Sequence, residues 1–115
     1  MSTLRNLPKT EWRRFFDRMS KPLLGKWAEV EVAALDLGDQ VVAEWIPMIG
    51  ITYDSKDDLV DVALDRTNRL IRHPTAITVE EAPTGLTSVA VVDAEGARHV
   101  VRLRDPLALP PATAA

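Results

Sequence analysis

The chain of 115 residues contains no cysteine, which removes disulfides, thiolate metal sites and cysteine nucleophiles together and fits a reducing compartment. Histidine is nearly as scarce: His73 and His99 stand too far apart for the H-x-x-x-H or H-E-x-x-H spacing of a helical metal site. The five glycines are scattered and make no phosphate-cradling loop, so nucleotide binding has no support. Ser20, Ser55 and Ser88 lack the context of a nucleophile elbow. No apolar run approaches the ~18 residues of a membrane-spanning helix, and the first residues lack the apolar core of a secretory signal. A soluble, cytoplasmic protein is expected, with no membrane association, no cofactor, no metal and no enzymatic activity.

What remains has ordinary globular proportions, 46% apolar and 27% charged, so a folded core is expected over disorder. The length suits one domain with a core that needs no staples. Net charge is −3, but it is unevenly spread. Residues 1–26 hold seven Lys/Arg against two acids; residues 27–65 hold ten acids against Lys56; residues 66–115 hold six Arg against five acids. The first block, at +5, and the second, at −9, are expected to attract each other within the molecule.

A helix is expected over residues 8–21. Pro8 suits its first turn and Glu11 its positive end. Trp12, Phe15, Phe16 and Met19 recur at i, i+3, i+4 and i+7, an apolar stripe for docking on a sheet. Arg14, Arg18 and Lys21 lie opposite, solvated, although a basic amphipathic helix can also lie on anionic surfaces. Lys21-Pro22 should end the helix, and Gly25 frees the chain to turn.

From Trp27 the period changes to two. Val30, Val32 and Ala34 mark a strand, Asp36-Leu37-Gly38-Asp39 a turn, and Val41 to Ile46 a second strand that Pro47 ends or bends. Gly50, close behind, strengthens the case for a sharply bent sheet. Trp45 to Leu64 reads as a hairpin, with Ile49, Ile51 and Tyr53 on one side of its first arm and Val60, Val62 and Leu64 on one side of its second. The polar turn is Asp54-Ser55-Lys56-Asp57-Asp58. Residues 66–74 are open between a loop and a helical turn carrying Leu70 and Ile71 inward. Ile77 and Val79, then Val89 and Val91, place further strands around a Pro83-Thr84-Gly85 turn. Asp93-Ala94-Glu95-Gly96 is a hairpin turn. After it His99, Val101 and Leu103 share one face, with Arg98, Val100, Arg102 and Arg104 on the other, and Asp105-Pro106 stops the strand.

Two clusters stand out as a possible interaction surface: Tyr53, Asp54, Lys56, Asp57 and Asp58 in the central hairpin, and Arg98, Arg102 and Arg104 on the last strand. The acids lack the alternation and central glycine of a calcium loop, so hydrated turn residues are expected there. The arginines could meet phosphate, but sheets that bind single strands add exposed aromatics. Only six aromatics are present, and Trp12, Phe15 and Phe16 belong to the helix stripe. Pairing of the arginines with Glu80, Glu81 or Glu95 is expected instead.

Leu7-Pro8, Glu11-Trp12, Phe15-Phe16-Asp17, Gly25-Lys26 before an alternating strand, and Leu37-Gly38-Asp39-Gln40 together give the chain a recognisable pattern. It continues through Gly50-Ile51-Thr52-Tyr53-Asp54, Lys56-Asp57-Asp58, Gly85-Leu86 and Arg102-Leu103-Arg104-Asp105-Pro106-Leu107. In this it resembles a family of short, uncharacterised bacterial proteins catalogued as a domain of unknown function. Asp65 to Arg69 departs from the pattern. The resemblance implies a small bacterial, cytoplasmic protein and carries no activity over.

The expected fold is α+β, mostly β: an N-terminal helix packed on a small, strongly bent antiparallel sheet or barrel of about six strands. It should span residues 1–106, with a flexible tail over 107–115. The leading expectation for function is a protein-interaction or adaptor domain, partnering a protein or itself through a strand edge. An Sm-like nucleic-acid-binding oligomer is second, by analogy of architecture alone; nucleic acid is not the expected partner. A hydrolase or metal protein is third.

Overall fold

The computed structural model describes residues 3–34 and 38–107. Alternating side chains build eight strands: β1 (Thr3–Asn6), β2 (Trp27–Ala34), β3 (Gly38–Asp54), β4 (Leu59–Leu64), β5 (Thr67–Arg72), β6 (Pro74–Ala82), β7 (Gly85–Asp93) and β8 (Arg98–Leu107). One helix, α1 (Trp12–Leu23), follows a 3-10 turn over Lys9–Glu11. The strands form a single antiparallel sheet in the order β1-β6-β7-β8-β2-β3-β4-β5. The sheet thus has eight strands where about six were expected, bends at its bulges and, with β1 and β5 at its two ends, is not closed into a barrel. Among the described residues no helix is long and apolar enough to cross a membrane.

The bend is made in β3. This 17-residue strand absorbs both the expected strand of Val41 to Ile46 and the first arm of the central hairpin. Against β2 its register slips between Ala28 and Glu31, and against β4 it slips between Met48 and Gly50. Each slip places an extra residue on β3, which coils the strand and reverses the side-chain alternation. Of the two outcomes expected at Pro47 the strand bends and does not end. One expectation changes: Ile49, placed with Ile51 and Tyr53, is instead 53% exposed while those two are buried.

The helix docks on the far half of β3 as its stripe requires: Trp12, Phe15, Phe16, Met19 and Leu23 are all buried. The ring of Trp12 meets Tyr53 edge-on at 5.2 Å, and its indole Nε1–H donates to Leu7 O at 2.9 Å. The helix comes close to β3 at Gly50, where a Cβ would lie 3.4 Å from Ser20 Oγ. Ser20 Oγ itself lies 2.8 Å from Ile51 O, which ties helix to strand. Lys21-Pro22 does not end the helix, as the proline sits in the last turn and removes one hydrogen bond only. The chain leaves through Gly25 at φ 85°.

Elsewhere the structure extends the expected strands. Residues 67–72 form edge strand β5 rather than a loop or helical turn, so Leu70 and Ile71 face opposite ways: Ile71 is buried and Leu70 is 46% exposed. The four exposed residues of β1 pair with β6. β8 runs through Asp105-Pro106 to Leu107, which is buried and paired with Leu86; the expected tail therefore does not begin at Leu107, and its remainder, 108–115, lies outside the described residues. The turn residues 35–37 lie outside them also. The first two charge blocks attract each other at Lys9 and Asp58 but form no ion pair among the described residues: Arg5 meets Glu81, and the acids of β2 are met by Arg102.

Candidate functional site

The acidic hairpin turn between β3 and β4 is held by its own carboxylates. Asp54 Oδ1 accepts from the backbone N–H groups of Lys56 (2.9 Å) and Asp57 (3.2 Å), an Asx arrangement that sets the turn. Asp58, in the left-handed region at φ 51°, turns its carboxylate back to accept from the Tyr53 hydroxyl at 2.7 Å. His73 Nδ1 lies 3.4 Å from the other Asp58 oxygen, and His73 N–H donates to Asp58 O at 2.8 Å. Burial, then the bonded carboxylate, pushes the Tyr53 hydroxyl up to about 12. The same bond, aided by His73 and Lys9, holds Asp58 below the usual carboxylate range despite the opposing effect of burial. Tyr53, Asp54 and Asp58 are thus brought together for structure, whereas Lys56 and Asp57 point to solvent. Among the described residues, no three of His, Asp or Glu converge as metal ligands would.

The arginines of β8 divide into different roles. Arg102 lies between two carboxylates of the neighbouring strand, 2.9 Å from Glu31 and 3.4 Å from Glu29. The register explains this, since Glu29 stands directly opposite Arg102. The expected partners were Glu80, Glu81 or Glu95, which pattern alone favoured because the pairing of β2 with β8 spans most of the chain. Arg98 is exposed.

Arg104 has a different environment. Its guanidinium carbon lies 5.5 Å from the Trp27 ring centroid and 5.3 Å from that of Trp45, so the cation is held by two indole rings. β2 contributes Trp27 at its first residue, 44% exposed. β3 contributes Trp45 from inside the bulge, where its backbone sits at φ 46°. A bulky residue in that region is strained by of order 1–3 kcal/mol. Among the described residues, no carboxylate comes within ion-pair distance of Arg104. Val41 and Val42, on the same stretch of β3, are both exposed. Sequence reasoning placed Arg104 on an outward face but missed its aromatic partners. The signal was available: Trp27 and Trp45 fall outside the helix stripe and frame the β2–β3 hairpin.

Another polar pair, of buried His99 with half-buried Asp93, lies at the opposite end of β8. His99 Nε2 is 2.9 Å from Asp93 Oδ2. Burial alone would raise the Asp93 carboxyl, but hydrogen bonds from His99 and from the N–H groups of Ala97 and Glu95 outweigh it and hold the group below its ordinary range.

Comparison with known proteins agrees with the resemblance seen in the sequence. An uncharacterized protein of Aquifex aeolicus (strain VF5) is 39% identical over 105 residues, covering 90% of this chain and 95% of that protein. No solved structure matches the chain. Residues 3–112 match the profile described as a family of unknown function, DUF5335, and the chain belongs to that family.

Proposed function

We propose that this protein is a non-enzymatic interaction module of the bacterial cytoplasm that docks an acidic, partly apolar segment of a partner protein against Trp27, Arg104 and Trp45. The packing of Arg104 against exposed Trp27 and half-buried Trp45 carries this reading. Trp and Arg dominate the binding energy of protein interfaces because each combines a large contact area with directional hydrogen bonding. A guanidinium packed against indole rings still has N–H groups to offer, and these fit a carboxylate in bidentate fashion. The strain at Trp45 supports the same reading, since strained backbone concentrates at functional sites. The exposed indole of Trp27 could also stack nucleic-acid bases, but Glu29 and Glu31 on the neighbouring strand, together with exposed Glu44, oppose phosphate. One further observation favours self-association as a second reading: edge strand β5 has unpaired backbone groups beside exposed Leu70.

The test is a titration of the intrinsic tryptophan fluorescence with a panel of peptides carrying Asp or Glu between apolar residues. Binding should weaken about tenfold or more in Trp27→Ala and Arg104→Glu, with melting temperatures close to that of the parent. Trp45→Gly, which relieves the strain, should bind as poorly as Trp45→Ala while melting higher. Indifference to every acidic peptide would sink the reading. Nanomolar RNA binding that collapses with Arg104→Glu would assign the surface to nucleic acid. A dimer mass that becomes monomeric in Leu70→Lys would favour the strand edge.

A further inference from the structure

Glu80 pairs with Ser88, Ser88 with Arg102 and Arg102 with Glu29. These four side chains therefore form one row across β6, β7, β8 and β2, on the face opposite buried Val79, Val89, Val101 and Val30. The bulge of β3 that carries Trp45 lies between the partners of Ala28 and Val30, at the level of Glu29. Trp45 and Glu80, at the two ends of the row, line one pocket of about 330 Å³ with Ser88 and Arg102, a volume at the lower end of ligand pockets. The charges of the row do not balance. Arg102 lies 2.9 Å from Glu31 and 3.4 Å from Glu29, so one guanidinium already serves two carboxylates. Glu80 is half-buried and has no cation at ion-pair distance among the described residues. The Ser88 hydroxyl donates to its Oε1 at 3.3 Å but carries no charge. Trp45 thus borders both an acidic pocket and the guanidinium of Arg104, 5.3 Å from the same ring.

A group that suits this pocket is a cation. Among the described residues no three acids converge as metal ligands would, so the lining favours an ammonium or guanidinium on an aliphatic stem. The head can meet Glu80, while both the stem and the charge gain from the indole wall of Trp45. We propose that the partner segment docked at Arg104 carries, close to its acid, a lysine or arginine whose cation enters this pocket and pairs with Glu80. Glu80 is then the residue that sets specificity. An acid alone satisfies Arg104, whereas an acid and a base together satisfy both charges that Trp45 borders. The inference rests on the docking reading above and adds the partner's second charge.

The test uses the intact chain and the same fluorescence titration. Its peptides keep the acid and carry lysine, or norleucine as the uncharged counterpart, at successive positions beside it. At one position lysine should bind about tenfold tighter than norleucine. Glu80→Gln should remove that preference and leave the affinity for the norleucine peptide unchanged. Glu80→Lys should turn the preference toward a peptide with glutamate at the same position. Should Glu80→Gln prove unfolded, amide chemical shifts of the parent decide: exchanging norleucine for lysine should move Glu80 and Ser88. Equal binding of both peptides by the parent, a lysine preference that survives in folded Glu80→Gln, or shifts centred away from Glu80 would each overturn the inference and leave the docking of the acid intact. Binding of neither peptide would overturn both.

Discussion

Tyr53 joins the core to the surface within one side chain: its ring packs against Trp12 and its hydroxyl donates to Asp58. The two members of that bond titrate in opposite directions, and the sign of each shift sets a pH window. Tyr53 is raised from 10.0 to about 12, so its share of stability is complete below about pH 10 and is lost as pH climbs toward 12. Asp58 is lowered, so its share is complete above the ordinary carboxylate range and is lost as pH falls through the depressed value. Tyr53→Phe is expected to cost about 1 kcal/mol at neutral pH. The gap between parent and variant should narrow at both extremes, as followed by urea denaturation across pH. A gap that stays constant from pH 7 to about 12 would mean that the hydroxyl bonds to water rather than to Asp58. The sequence made Tyr53, Asp54 and Asp58 visible as a cluster but not their bonding, because Asp58 reaches Tyr53 only through a left-handed backbone that few non-glycine residues adopt.

At the scale of elements, periodicity predicts best where one face is apolar and the register is unbroken. The helix stripe has both properties, and each of its four expected positions is buried. Phe16→Ala should therefore cost about 3–5 kcal/mol, whereas Arg14→Ala on the solvent face should change stability by no more than roughly 0.5 kcal/mol in thermal or chemical unfolding. The reverse ranking would put the basic face inside. Bulges defeat the same reasoning: the extra residue in β3 near Ile49 reverses the alternation, and a period of two gives no warning of it. β1 escaped for a simpler reason. Its four exposed residues include a single apolar side chain, Leu4, too little for an alternation, and only the pairing with β6 makes them a strand. Residues 67–72 were obscured by their arginines, which suit an edge because charge there discourages pairing with other chains. Of the tryptophan stack, the sequence revealed the outward Arg104 and nothing of its neighbours, because Trp45 reaches it only from inside a bulge.

Over the whole molecule, the strand order places distant segments side by side. β2, from the first third of the chain, lies between β3 and β8, and Ala28 faces Leu103 while Ala33 faces Arg98. A chain cut after Gly96 would lack β8 and leave both β2 and β7 with an unpaired edge toward the core. Such a fragment should show no cooperative thermal transition by circular dichroism, since removing a central strand exposes apolar surface on both sides of the gap. A sharp transition in the fragment would show that β2 and β7 can manage without the strand between them.

The same pairing governs what happens while the protein is being made. The strand that β2 needs is made only after β3 to β7, so Trp27, Ala28 and Val30 wait through the synthesis of those strands with one side of their own strand open. Until β8 arrives, β2 can add to any passing strand, including the β2 of another nascent copy. The sheet around β2 therefore cannot be completed until β8 has emerged, and the interval in which holding chaperones can capture this segment is set by how long translation takes to pass from β2 to β8.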